Sequence, residues 1–126
     1  MGWTDALRYI TDYDEAIQYF NEMDGFHDYR IGHIDYKDGK NAEIFIEEVI
    51  PGKKLQDNTG KIWKCSFEDV KIFEISCDSA TSFYIGDIYG RETQGEVLFE
   101  LTNGYIRILA DRIIVRIPSD ERKENT

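Results

Sequence analysis

The stretch Phe26-His27-Asp28-Tyr29-Arg30-Ile31-Gly32-His33-Ile34-Asp35-Tyr36 is where the chain changes period. Upstream, Tyr13, Ala16, Ile17, Phe20 and Met23 recur at three- and four-residue steps, one apolar stripe of an amphipathic helix, with Glu15, Gln18 and Glu22 on its wet side. Thr11 stands as an N-cap with Asp14 three residues on, and acids in the first turn suit the helix dipole. Gly25, free to adopt φ > 0, ends the helix, which is expected over residues 12–24. Within the quoted stretch Tyr29 and Ile31 share one parity, Ile34 and Tyr36 the other. An extra residue near Gly32 moves the pattern to the opposite face, so a strand with a bulge is expected there.

Downstream the period stays at two. Lys37-Asp38-Gly39-Lys40-Asn41 is a turn with the Asp-Gly signal of a tight hairpin, leading to a strand over residues 42–50. Residues 51–60 form a polar loop opened by Pro51-Gly52. Residues 61–67 and 70–77 read as two strands separated by Glu68-Asp69, with Trp63, Cys65 and Phe67 in phase in the first and Phe73, Ile75 and Cys77 in the second. A further strand spans residues 82–88, followed by a loop at 89–95.

Asn103-Gly104 sets a two-residue hairpin turn that pairs Leu101 with Ile106, Glu100 with Arg107, Phe99 with Ile108 and Val97 with Ala110. That register gives a wholly apolar face and a cross-strand Glu–Arg pair, and a slip is expected to lose both together. Asp111-Arg112 bends the chain into a last strand over residues 113–117. Upstream of the helix, Trp3 is expected to lie on the core. Residues 119–126 hold no apolar side chain and read as a frayed tail to a single domain over residues 1–118. The expected class is α+β, predominantly antiparallel β: one N-terminal helix on a curled meander of about seven strands, as a sandwich or a partly open barrel.

The aromatic share of 13% suits a half-buried pleated surface, and 126 residues suffice for one core. Acids outnumber bases 25 to 15, a net charge of −10, and residues 1–28 hold seven of the acids (Asp5, Asp12, Asp14, Glu15, Glu22, Asp24, Asp28) against the single base Arg8. Such a field repels a phosphate backbone, so no nucleic-acid partner is expected. No apolar run approaches the length of a membrane span, and the start of the chain lacks the pattern of a signal peptide, so a cytoplasmic site is expected. Cys65 and Cys77, eleven residues apart, do not form a zinc motif, and both fall at apolar-phase positions of buried free thiols.

His27-Asp28 with His33 and Asp35 is the one crowd of mixed titratable groups. Metal chemistry needs three or four converging ligands, and no third has diagnostic spacing. A His27–Asp28 relay is weakened because neighbours on a strand face opposite ways, and the expected role of His27 is a hydrogen bond to backbone at the helix-to-strand corner. Glu43, Glu47 and Glu48 read as a solvated strand edge. There is no GxSxG, Walker or GxGxxG motif. No catalytic residue, metal or cofactor is therefore expected.

The order helix, glycine, Phe26-His27-Asp28, a strand with Ile31, and a meander ending on Gly95-Glu96-Val97-Leu98-Phe99 and Asn103-Gly104 resembles small bacterial proteins of unknown function and some immunity proteins of polymorphic toxin systems, in which a Phe-His-Asp triplet follows a short helix. The resemblance implies a stand-alone binding domain whose partner is a toxin. The acidic segment fits that expectation independently, so the binding residues expected are Asp12, Asp14, Glu15, Glu22, Asp24, His27 and Asp28, facing a basic protein. A small-molecule or metal-binding domain centred on His27 and His33, and a homodimer through an exposed strand edge, are the alternatives.

Overall fold

The computed structural model describes residues 8–50, 60–78 and 83–118. In chain order these form β1 (Arg8–Ile10), α1 (Tyr13–Glu22), a short turn (Asp24–Phe26), β2 (Arg30–Lys37), β3 (Asn41–Glu47), β4 (Ile62–Cys77), β5 (Ile85–Gly90), β6 (Glu96–Leu101) and β7 (Gly104–Ile117). The class is α+β, predominantly antiparallel β. Trp3, most of the loop after Pro51, Ser82 and the tail lie outside the described residues.

The strands make one sheet in the order β2-β3-β4-β7-β6-β5, with β1 alongside the end of β7. This is not the sequential meander expected, because β7 inserts between β4 and β6. The sheet does not close fully into a barrel, in keeping with the open form expected. Among the described residues its two ends meet at an Arg30–Tyr84 bridge, flanked by hydrogen bonds from the Asp28 N–H to Ile85 O (2.9 Å), the Ile85 N–H to Tyr29 O (2.8 Å) and the Ile31 N–H to Phe83 O (2.9 Å).

Two pairs of expected strands are each one strand. Residues 61–67 and 70–77 run together as β4, and the two segments after Gly104 run together as β7; the two are paired along nearly their whole length. The polar pairs Glu68-Asp69 and Asp111-Arg112 face each other across this ladder. They mark a shared bend, with φ of 57° at Asp69 and a register shift between Val70 and Ile72. The bend lets both strands serve both parts of the sheet. It also leaves Ile75, expected in the apolar phase, 44% exposed.

The bulge in β2 falls at Gly32, where the pairing with β3 shifts between Ile31 and His33. A Cβ at Gly32 would collide with the Glu47 carboxylate, which crosses the bulge to pair with Arg30. The β2–β3 turn places Asp38 and Gly39 at φ of 58° and 61°, the conformation that an Asp-Gly hairpin needs.

The β6–β7 hairpin is in a different register from the one expected. Leu101 pairs with Gly104, Phe99 with Ile106 and Val97 with Ile108, so the turn is Thr102-Asn103 rather than Asn103-Gly104. The offset is two residues, and the side-chain period is two, so Val97, Phe99, Leu101, Ile106, Ile108 and Ala110 all remain buried on one face. Only the Glu100–Arg107 opposition is lost. Apolar parity therefore excludes odd offsets and does not distinguish even ones.

Candidate functional site

The helix begins one residue later than expected. Asp12, not Thr11, is the N-cap, and its carboxylate accepts the Glu15 N–H at 3.1 Å. It ends at Glu22, and Asp24, Gly25 and Phe26 then take φ of 57°, 64° and 56°. Three successive left-handed residues turn the chain sharply. At Gly25 a Cβ would strike the Asp87 carboxylate, so only glycine fits there.

The apolar side of this unit is well held. Ala16, Phe20 and Phe26 are fully buried. Phe26 meets four rings edge-on: Tyr19 (6.2 Å between centroids), Phe20 (6.1 Å), Tyr29 (5.3 Å) and Trp63 (5.1 Å). Tyr19, outside the expected stripe, is also buried, and its hydroxyl accepts the Trp63 indole N–H at 2.8 Å. Burial raises the Tyr19 pKa and keeps that hydroxyl protonated. The Tyr13 hydroxyl donates to the Glu96 carbonyl at 2.6 Å, tying the start of α1 to the start of β6.

The polar side is different. Asp12, Asp14, Glu15, Glu22 and Asp24 are all exposed. Among the described residues none of them pairs with a base. Only Asp12 has a structural task, as the cap, while Glu22 accepts a long 3.4 Å hydrogen bond from Gln18. The expected binding acids therefore lie together along one outer face and its exit.

His27 closes the corner. Its Nδ1 donates to the Gly86 carbonyl at 3.1 Å, and Asp28 takes φ of 71°. Because this segment is not a strand, His27 and Asp28 do not point apart as expected; His27 Nε2 and Asp28 Oδ1 are 3.6 Å from each other, both side chains well exposed. His33 sits elsewhere, on β2 past the bulge, edge-on to Phe45 at 5.6 Å. Among the described residues no group of three or more His, Cys, Asp or Glu could hold a metal ion.

The glutamates of β3 are not a solvated edge. That strand is internal, and Glu43 pairs with Lys64 (3.3 Å) while Glu47 pairs with Arg30. Cys65 is buried, which pushes its thiol up to about 12 and keeps it neutral, whereas Cys77 is half-buried.

The outer face of β4, β7 and β6 carries a cleft of about 570 Å³ lined by Glu74, Arg91, Leu98, Glu100, Tyr105 and Arg107. Sequence reading missed it, because it joins residues that become neighbours only in the true register. Arg107 binds Glu96 (2.5 Å), the one buried charged residue among those described, and Glu74 (3.4 Å). Tyr105 donates to Glu74 and Tyr89 to Glu100, bonds that raise both phenol pKa values. The carboxylates there are thus engaged by the sheet's own groups, and the network reads as construction.

No helix among the described residues is long and apolar enough to cross a membrane. Comparison of the chain with protein-family models, with curated proteins and with solved structures finds no match in any of the three.

Proposed function

We propose that this chain is a non-catalytic protein-binding module that presents the outer face of α1 to a basic partner. The observation that carries this reading is the set of exposed acids, Asp12, Asp14, Glu15, Glu22 and Asp24, none of them in an ion pair among the described residues, with Arg8 the one base beside Glu15 and Glu22. Acids left unpaired on a well-anchored helix contribute little to the fold and form a concentrated field that accelerates encounter with a positive surface. His27 and Asp28 extend the face at its C-terminal end. The resemblance drawn from the sequence makes the partner a toxin, and a nuclease, with a basic groove for its substrate, has the complementary charge.

Titration with a basic nuclease tests the reading. Affinity should fall steeply as salt rises, since exposed charges are screened beyond about 10 Å at 0.1 M salt. The triple variant Asp14→Asn, Glu15→Gln, Glu22→Gln should bind more weakly at low salt and fold unchanged. Affinity indifferent to both salt and these substitutions would overturn the proposal.

A further inference from the structure

The register of the sheet sets Tyr9, Arg116, Lys64, Phe45 and His33 in one row across β1, β7, β4, β3 and β2. Tyr9, Arg116, Lys64 and Phe45 lie on the face away from the core, because their neighbours Ile10, Val115, Cys65, Ile44 and Ile46 are buried, and His33 sits edge-on to Phe45. Three cross-strand partners of β4 and β7 are charged on both sides. Two are Glu–Arg, at 68/112 and 74/107, and the third sets Lys64 directly opposite Arg116. Like charges in that position destabilise a ladder, and here they occur in a chain with 25 acids for 15 bases.

Arg116 is half-buried and, among the described residues, has no carboxylate or hydrogen-bond partner, unlike Arg107 and Arg112 on the same strand. Lys64 shares Glu43 at 3.3 Å and stands 5.9 Å from the Phe45 ring centroid. The two cations border a cleft of about 370 Å³, within the range of small-ligand sites. Tyr9, Ser66 and Ile114 also line it, offering a phenol, a hydroxyl and an apolar wall. Glu43 and Glu68 line it too, with Glu68 drawn to Arg112 at 3.1 Å.

We propose that Arg116 and Lys64 hold the oxyanion of a small molecule, a phosphoryl or carboxylate group, whose apolar part lies against Ile114 and Tyr9. An anion there supplies Arg116 with the counter-charge that Glu43 already gives Lys64, and the guanidinium can grip two oxygens at once. The site adjoins the acidic helix face at Tyr9, but its two cations belong to the sheet and the proposal does not rest on that face.

Amide-resolved NMR titration of the full chain at low ionic strength tests this, using inorganic phosphate, phenyl phosphate and benzoate as probes. Saturable shifts should centre on the amides of residues 64–66, 114–116 and Tyr9, and phosphate-type against benzoate binding tells which oxyanion is preferred. Arg116→Gln should weaken the bound probe about tenfold or more, as expected for losing a charged hydrogen-bond donor. Arg116→Lys should lose less. The best probe should raise the melting temperature of the wild type but not of Arg116→Gln, a readout that also reports whether the variant is folded. Absence of saturable shifts with all three probes, or equal affinity in folded Arg116→Gln, would overturn the proposal.

Discussion

The helix α1 and the β4–β7 ladder are both amphipathic, yet they handle charge in opposite ways. On the ladder Glu68 meets Arg112, Glu74 meets Arg107, and Lys71 meets Asp111 at 3.5 Å. On the helix the acids form no ion pair among the described residues, and the element is held by its buried apolar side, chiefly rings, and by the Tyr13–Glu96 and Trp63–Tyr19 hydrogen bonds. Exposed ion pairs are worth little individually, so the ladder's pairs act mainly by fixing register and satisfying half-buried groups. The helix needs neither service, because its register on the sheet is set by Phe26, Tyr19 and Trp63. Its outer face is thereby released from structural duty.

The largest effect should come from removing the ring on which the helix unit is anchored. Phe26→Ala should cost about 3–5 kcal/mol, the usual range for deleting a buried phenylalanine. Phe26 is 0% exposed and shared among four rings, so the site has little freedom to collapse. Equilibrium denaturation in urea measures it. A loss near 1 kcal/mol would mean that α1 is held by something other than the rings.

On the sheet side the corresponding probe is Glu47→Gln. Arg30 and Glu47 side chains are each only 22% exposed, and the buried Nε of Arg30 has no acceptor of its own. Neutralising Glu47 keeps the shape across the Gly32 bulge but leaves a half-buried guanidinium without its counter-charge. A loss of about 1–2 kcal/mol is expected, below that of a fully buried pair because water reaches both groups. Unchanged stability in the same urea measurement would show that the pair is as dispensable as the helix acids.

How far these regions were legible in the sequence follows the range of the physics involved. The helix, the Gly32 bulge and the Asp38-Gly39 turn depend on residues a few positions apart, and their signals were sufficient. The cap was displaced from Thr11 to Asp12 because both are good acceptors and only geometry chooses between them. The continuous strands β4 and β7 were read as four because Glu68-Asp69 and Asp111-Arg112 look like turns singly. They form one bend only when set opposite each other. The hairpin register was undetermined by parity, since an offset of two keeps every face intact. The acids of α1 were visible as a run, but that the sheet's acids are paired and these are not required the sheet. The opposition of Lys64 and Arg116 was invisible for the same reason, as nothing local joins residues that meet only through strand order.

The two smallest effects separate the helix acids from one another. Asp12→Ala should cost about 1 kcal/mol, because the cap satisfies an amide that the helix itself cannot. Asp14 and Glu22 should together come out near zero, for a reason that can be checked singly. Asp14 lies in the first turn, where a negative charge complements the helix dipole, so Asp14→Asn should lose a few tenths of a kcal/mol. Glu22 ends the helix, where its charge opposes the same dipole and the last turn holds no basic residue, so Glu22→Gln should gain a similar amount. The double variant should therefore match the wild type within about 0.5 kcal/mol in urea denaturation while binding a basic partner less well. A double variant that loses as much stability as Glu47→Gln would show that these acids serve the fold after all, and the contrast between helix and ladder would not hold.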